Sequence, residues 1–179
     1  MDALTEAETA VLSTALLAWW ERHGRGGIPW KQLPGGARPA PDQDLDPYGI
    51  WIAEVMLQQT QLAVALPYWT RWMAAFPSVE SLAAASLDEV RLQWQGLGYY
   101  SRAGRLHEAA QLLVGHPLPH SLEGWMALPG IGRTTAGSIL SSAFNEPLPI
   151  LDGNVKRVLA RLTAHPRPPA RDDALFWCW

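Results

Sequence analysis

Residues 128–136 of the chain read Leu128-Pro129-Gly130-Ile131-Gly132-Arg133-Thr134-Thr135-Ala136, with two glycines one residue apart just before a new helical pattern. Glycine permits the positive backbone angles of a tight turn, and N–H groups at a helix start attract anions. The stretch predicts a nest of outward-pointing N–H groups that binds a phosphate oxygen. It is also typical of a plain helix–helix connection, and the turn alone does not separate the two interpretations.

A second stretch follows about twenty residues later, Leu151-Asp152-Gly153-Asn154-Val155-Lys156-Arg157. Asp152 stands just before a helical pattern, where aspartate is a preferred cap for the first N–H groups of the helix. The same position suits a carboxylate that acts on a ligand, and the two roles are compatible.

A third candidate is Glu54, the one ionisable residue in the apolar run from Tyr48 to Leu57. If this run is helical, Glu54, Gln58 and Gln61 form one polar stripe that faces either bulk water or a polar cleft. Burial among apolar neighbours raises the pKa of a carboxyl group toward the range of a general acid. Two carboxyls in unlike surroundings are the arrangement that cleaves glycosidic bonds, although the sequence does not establish that these two meet.

Tyr99 and Tyr100 follow a glycine-punctuated turn and precede Arg102 and Arg105. Aromatic rings beside positive charge can wedge between nucleic-acid bases. Core packing is the commoner fate of tyrosine, so we expect at least one of the pair to be buried.

Composition limits the function classes. The formal net charge of the 179 residues is -3, but residues 91–161 carry seven basic and four acidic side chains, which permits nucleic-acid binding by this part. One cysteine, Cys178, excludes an internal disulfide. No apolar run reaches the roughly 18 to 20 residues that cross a bilayer, and the first residues carry acid instead of base, so we expect an intracellular protein without a membrane partner.

Apolar residues recur at helical spacing and nowhere alternate for long, which predicts an all-α fold. We expect a helix over residues 4–23 that ends near Gly24, then a Pro/Gly-rich loop, and a helical pattern over 48–76 that is broken at Pro67. Later helix starts are predicted at Ser78, at Ser86 with Glu89, at Ser121 and at Thr134.

Four motifs carry a specific resemblance, in the order Tyr48–Gln61, Gly96–Ala103, Leu128–Gly137 and Ile150–Leu159. From about Pro29 to Leu162 the chain resembles the A/G-mismatch adenine DNA glycosylases, which belong to the helix-hairpin-helix, endonuclease III-like base-excision repair superfamily. The resemblance implies a six-helix barrel over residues 46–158 that carries the hairpin. Residues 1–24 would be the N-terminal helix of an incomplete second helical domain, residues 25–47 a loop or insertion, and residues 159–179 the start of a truncated C-terminal segment.

The resemblance implies that the chain removes adenine mispaired with 8-oxoguanine or guanine after flipping it out of double-stranded DNA. Glu54 would protonate the adenine, Asp152 would stabilise the sugar cation, and Asn154 would help to orient the site. The adenine pocket would include Trp30, Lys31 and Thr134. Contacts with DNA are implied for Gln58, Gln59, Tyr99, Pro129, Gly130, Ile131, Gly132, Lys156 and Arg157, with a monovalent cation at the hairpin.

Thr134 separates two branches of the superfamily. In the endonuclease III branch this position holds a lysine that forms a Schiff base and cuts the backbone. Threonine cannot do so, and the resemblance therefore implies a monofunctional glycosylase in preference to a lyase.

The chain departs from the family's pattern in three places. Between Trp30 and Asp46 the chain is about eleven residues longer than the family's usual spacing, which adds the Pro/Gly-rich stretch 33–44 beside the implied adenine pocket. Of the family's four cysteines, which hold a 4Fe-4S cluster, the sequence contains Cys178 alone, and we expect the domain that reads 8-oxoguanine to be absent. We therefore expect a truncated monomeric glycosylase, cytoplasmic or nucleoid-associated if bacterial. The alternative is a weakly active or inactive protein that binds DNA through its hairpin.

Overall fold

The computed structural model describes residues 4–40 and 42–178, so positions 1–3, 41 and 179 of the predicted segments lie outside it. The described residues form α-helices, two 3₁₀ turns (Pro29–Lys31 and Pro169–Arg171) and loops, without a β-strand among them. This confirms the all-α prediction. The helices are α1 Glu6–His23, α2 Pro47–Leu57, α3 Leu62–Ala75, α4 Val79–Ala84, α5 Leu87–Trp94, α6 Ser101–Leu113, α7 Leu122–Met126, α8 Arg133–Phe144, α9 Gly153–Leu162 and α10 Asp173–Trp177. In the part of the chain that is described, none of these helices is long and apolar enough to span a membrane.

The chain divides into two compact units. One comprises residues 29–149 and contains the helices α2 to α8, and we call it the hairpin unit. The other joins residues 1–28 to residues 150–179 and contains α1, α9 and α10, and we call it the terminal unit.

Local sequence signals place most helix starts. Ser86 accepts a hydrogen bond from the Glu89 N–H, and the Glu89 carboxylate accepts one from the Ser86 N–H, which forms a capping box for α5. Ser78 and Ser121 cap α4 and α7 with their hydroxyls, as predicted. Asp46 caps α2, whose first position is proline, a residue suited to the first turn of a helix.

The core of the hairpin unit is built around α2. Every residue of this helix from Tyr48 to Met56 is buried except Glu54, and α2 packs on α8 and α3. Large aromatic side chains fill the space beside it, with ring centroids 5.7 Å apart for Trp51 and Trp125. A helix that is apolar on all sides has to be surrounded by other elements, which explains why α2 lies at the centre.

The predicted break at Pro67 is wrong. Pro67 lies inside α3, and the helical pattern is interrupted instead between Leu57 and Leu62. The interruption coincides with Gln59, whose φ of 57° is left-handed and incompatible with an α-helix. A proline removes one helical hydrogen bond, and the thirteen other residues of α3 keep the helix intact.

The terminal unit has a small core of its own. Leu151, Ala160 and Phe176 are buried together, with Leu159 and Trp177 packed against them. The side chain of His165 pairs with Asp172 at 2.6 Å, which ties the loop after α9 to the start of α10. No residue of α1 is buried, although Thr5 and Glu8 form a complete capping box at its start.

Candidate functional site

In the hairpin between α7 and α8, only the first of the two glycines has a backbone conformation that requires glycine. Gly130 has a φ of 81°, and a Cβ atom there would lie 2.9 Å from Cδ of Arg105. Ile131 is buried, and its N–H donates to the Leu128 carbonyl at 3.2 Å. The prediction that all N–H groups of the turn point outward is therefore wrong for Ile131, because this N–H closes the turn.

Helix α8 starts directly at the hairpin. Gly132 precedes it with an extended backbone (φ -97°) and, as a glycine, has no side chain that could cap the helix. The first bond of the helical ladder runs from the Ala136 N–H to the Gly132 carbonyl at 2.9 Å. The N–H groups before Ala136 lie at the positive end of the helix dipole, which suits an anion.

Arg105 lies against this hairpin from α6. The aliphatic part of its side chain packs over Gly130, while the residue as a whole is exposed. It helps to line a shallow pocket in which the end of α2, helix α6 and the hairpin meet. The lining residues are Val55, Gln58, Arg102, Arg105, Leu106, Pro129 and Gly130.

Glu54 is half-buried among buried neighbours on α2, which matches the predicted apolar surroundings. The predicted stripe is only partly correct: Gln58 caps the C-terminus of α2, but Gln61 precedes α3 and does not belong to the same helix. The side-chain amide of Gln58 donates to Oγ1 of Thr135 at 3.3 Å, which connects the end of α2 to the start of α8. Thr134, the neighbour of Thr135, is half-buried in the first turn of α8.

Gln59 and Tyr99 are both exposed residues in left-handed backbone conformations. Their φ angles are 57° and 47°, and the Tyr99 side chain is among the exposed large apolar groups at 62%. Such backbone strain in residues other than glycine is uncommon and concentrates at functional positions.

The turn before Tyr99 is held by side chains. The Trp94 indole donates to the Gly98 carbonyl at 2.8 Å, and the Gly96 N–H donates to the Tyr100 hydroxyl at 3.3 Å. The expectation that at least one tyrosine is buried is wrong, since Tyr99 and Tyr100 are 62% and 48% exposed. The reason is that Trp94 fills the buried position below the turn and leaves both rings on the surface.

Arg102 is not the surface cation that its place in the sequence suggested. It is 6% exposed, and its guanidinium donates to main-chain carbonyls at the end of α2 and in the turn before Tyr99. Burial lowers the pKa of this guanidinium from its usual value, although arginine remains charged in proteins. The structural role of Arg102 was missed, yet a signal was present. Arg102 shares the buried face of α6 with Leu106, Ala109 and Leu113, at helical spacing.

The two residues assigned to the rim of the adenine pocket differ in exposure. Trp30 is 4% exposed, and its ring centroid lies 5.2 Å from that of Trp69, whose indole donates to the Gly49 carbonyl on α2. Lys31 is exposed. Trp30 thus anchors the 3₁₀ turn beside α2, and its role toward a base stays a prediction.

In the terminal unit, Asp152 caps α9. One carboxylate oxygen accepts from the N–H groups of Asn154 and Val155 at 2.9 and 2.8 Å, and the other accepts from the Asn154 amide at 3.0 Å. Asn154 in turn accepts from Arg157 at 2.7 Å. The carboxylate is thus fixed by three donors, and the cap interpretation is confirmed.

Lys156 is the other basic residue of this motif. Its ammonium pairs with Asp173 at 2.6 Å, and the side chain is mostly buried. Neither this unit nor the other presents three clustered His, Cys, Asp or Glu side chains within the described residues, and the chain has one cysteine. The residues present therefore do not fit a cluster held by four cysteines.

Comparisons with known proteins identify relatives of this chain among DNA glycosylases. The chain is 44% identical to the adenine DNA glycosylase of Mus musculus over 162 residues, which cover 88% of this chain and 31% of that protein. The structure resembles a thermostable thymine-DNA glycosylase with a TM-score of 0.72 at 23% identity, covering 84% of this chain and 65% of that one. An endonuclease III–DNA complex gives 0.69 at 22%, with 89% and 70% covered. The chain thus spans about a third of the length of the curated relative.

A match to a protein-family model identifies the family of this chain. The model of the HhH-GPD superfamily base excision DNA repair proteins matches residues 52–175, which include the second half of α2, the hairpin and α9. The match and the helix-hairpin-helix at α7 and α8 agree with the resemblance read from the four motifs. This chain belongs to the HhH-GPD superfamily of base excision DNA repair proteins.

Proposed function

We propose that this chain hydrolyses the bond between adenine and deoxyribose in duplex DNA, where the adenine is mispaired with 8-oxoguanine or guanine. The relative from Mus musculus, at 44% identity, carries the name adenine DNA glycosylase. The observation that supports the proposal best is Glu54, the one residue of α2 between Tyr48 and Met56 that is not buried, on a helix that ends beside the hairpin.

The reaction needs an acid and an anion. Adenine is a poor leaving group until a ring nitrogen is protonated, and Glu54 would supply that proton. The bond electrons then leave with the base, and a positive charge develops on the sugar. Asp152, fixed by three donors, would stabilise that charge before water adds to the sugar carbon, and Asn154 holds the carboxylate in its orientation.

Binding of the duplex would use both the hairpin and the exposed strained residues. The start of α8, which follows the extended Gly132, is suited to a backbone phosphate, and Arg105 beside Gly130 adds positive charge. Gln59 and Tyr99 would fill the stack from which the adenine has left. Trp30 and Lys31 would form the edge of the adenine pocket, and Lys156 and Arg157 would lie near the DNA backbone.

Thr134 supports hydrolysis without strand cleavage. Its hydroxyl cannot form the Schiff base by which a lysine at this position would cut the backbone. We therefore expect an intact abasic strand as the product.

The direct test is a gel assay on a duplex with one adenine opposite 8-oxoguanine, read after alkali cleaves abasic sites. Glu54→Gln and Asp152→Asn should each lower the single-turnover rate by about 10² to 10⁴-fold, the range for loss of a general acid or a charge stabiliser. Glu123→Gln changes an exposed carboxylate on α7 and serves as the matched control. Full activity in both variants would show the assigned roles to be wrong.

A second candidate function is DNA binding without catalysis. It is favoured by the hairpin, whose helix start suits a phosphate without any contribution from Glu54 or Asp152. Filter binding and the gel assay on the same duplex separate the candidates: binding without adenine release supports the second. Strand cleavage at the rate of base release would instead revive a lyase.

A further inference from the structure

We propose that Arg102 is the positioning residue that fixes the backbone carrying Gln59 and the backbone carrying Tyr99 in one geometry, so that both side chains can enter a disturbed base stack. This inference rests on the proposed function, since it assigns Gln59 and Tyr99 to the extrusion of a base. It adds a residue that makes no contact with the substrate itself.

The contacts of Arg102 divide between two segments. Nη1 donates to the carbonyls of Val55, Met56 and Gln58 at 2.9, 3.1 and 2.7 Å. Nη2 donates to the carbonyls of Leu97 and Gly98 at 3.5 and 3.3 Å. One rigid guanidinium plane therefore bridges the end of α2 and the turn before α6.

In both segments, Arg102 holds the carbonyl that directly precedes a residue with a left-handed φ angle. The Gln58 carbonyl belongs to the peptide group that leads into Gln59, and the Gly98 carbonyl belongs to the peptide group that leads into Tyr99. Holding a carbonyl fixes the plane of its peptide group, and with it the direction in which the next residue departs. Arg102 thus holds the peptide planes from which both left-handed residues start.

The location also explains why the cation is arginine. Carbonyls at a helix C-terminus carry partial negative charge, which favours a cation, and the planar fork of arginine can reach several acceptors at once. A lysine ammonium is a single point and cannot span both segments. The Nε–H of Arg102 is buried and without a hydrogen bond within the described residues, so the two segments are held through Nη1 and Nη2.

The Tyr99 ring is part of the same arrangement. The Arg102 guanidinium carbon lies 5.3 Å from the centroid of this ring and 5.2 Å from that of Trp94. The guanidinium therefore contacts the Tyr99 ring, while 62% of the residue stays exposed. The ring is supported before any ligand arrives.

The first arm of the test measures the free protein by hydrogen exchange with mass spectrometry. Arg102→Lys keeps the charge and removes the fork. We expect about tenfold or faster exchange in peptides covering both 55–61 and 95–101. His107→Leu is the matched control, because His107 is also a buried polar residue of α6 but contacts the Ala85 carbonyl at 2.9 Å. Its variant should leave both segments unchanged.

The second arm measures base unstacking. The duplex carries 2-aminopurine beside a 2′-fluoro adenosine opposite 8-oxoguanine, so that fluorescence reports extrusion without hydrolysis. Arg102→Lys should lose most of the fluorescence rise seen with the unchanged protein, while its affinity for an undamaged duplex changes less than about threefold, since the hairpin is intact. His107→Leu should keep the fluorescence rise.

The outcomes are decisive in each arm. Exchange that accelerates in one segment only, in neither, or equally in the His107 variant would overturn the bridging role. Normal fluorescence in Arg102→Lys would overturn its connection to extrusion. If the unchanged protein releases no adenine, the proposed function fails, whereas the exchange arm still decides whether Arg102 couples the two segments.

Discussion

Two glycines of the hairpin, Gly130 and Gly132, look equivalent in the sequence and have different structural roles. Gly130 adopts a left-handed φ of 81° under the stem of Arg105, so the fold itself excludes a side chain there. Gly132 has an extended backbone, and a Cβ atom would meet no atom within 4 Å. The fold therefore leaves room for a methyl group at Gly132, and we expect the phosphate of bound DNA to occupy that room.

This difference predicts opposite effects of two alanine substitutions. Gly130→Ala should lower the free energy of unfolding by about 1 to 2 kcal/mol, the cost of a left-handed residue with a Cβ atom. Gly132→Ala should change stability by less than about 1 kcal/mol, because the extended backbone accepts alanine whereas the N-cap position of a helix favours glycine over it. It should nevertheless weaken duplex binding about tenfold, because a methyl group at the start of α8 obstructs a phosphate.

Urea unfolding and fluorescence anisotropy with a labelled duplex measure the two quantities. Gly115→Ala serves as a control for a left-handed glycine (φ 77°) outside the hairpin, and it should lose stability without weakening binding to DNA. Normal binding by Gly132→Ala would remove the phosphate assignment from this turn.

At the level of residues, the sequence predicted which residues are candidates for the site better than it predicted how deeply each one is buried. The cap role of Asp152 and the isolated position of Glu54 follow from local spacing, and both were predicted. The burial of Arg102 and the exposure of both tyrosines depend on how the turn before Tyr99 folds over Trp94, which is a tertiary contact. A charged residue can occupy an apolar helix face when main-chain carbonyls accept its hydrogen bonds. The local sequence pattern does not show where those carbonyls lie.

At the level of elements, capping residues predicted helix starts correctly, whereas Pro67 led to a wrong prediction of a helix end. The starts at Ser78, Ser86 and Ser121 depend on bonds between residues three apart, which the sequence contains. The end of α2 depends on Arg102, which is 44 residues away from Gln58 and holds its carbonyl. Ends set by such distant contacts are beyond the reach of local rules.

Pro67 inside α3 leads to a prediction for that helix. Pro67 is exposed and removes the hydrogen bond to the carbonyl of Ala63, so its replacement restores a bond without disturbing the core. Pro67→Ala should raise the free energy of unfolding by about 1 to 3 kcal/mol. The adenine-release rate should stay the same, because α3 carries none of the proposed site residues.

Thermal unfolding followed by circular dichroism checks this expectation. Ala63→Gly in the same helix is a matched control, since it should cost about 1 kcal/mol by propensity alone. A lower melting temperature for Pro67→Ala would mean that the proline ring contributes packing that outweighs the missing bond.

At the level of the whole molecule, the two units have cores of unequal size. The hairpin unit buries Trp51, Trp72, Trp94 and Trp125 completely, whereas the described core of the terminal unit consists of Leu151, Ala160 and Phe176. Apolar residues make up 48% of the sequence, which is ample for a core, but this composition does not show how they divide between the two units. One unit groups the two ends of the chain, residues 1–28 and 150–179, and local periodicity does not report a grouping of segments so far apart in the sequence.

The unequal cores predict that the terminal unit opens at lower free energy than the hairpin unit. Phe176→Ala removes the largest side chain of the small core and should cost about 3 to 5 kcal/mol there. Peptides from residues 150–178 should then exchange amide hydrogens much faster, while peptides from α2 and α8 keep their protection. Ile139→Ala, in the core of the hairpin unit, should accelerate exchange in α2 and α8. Equal acceleration of α2, α8 and α9 in Phe176→Ala would mean that both units unfold as one cooperative body, and that Asp152 on α9 is held as firmly as Glu54 on α2.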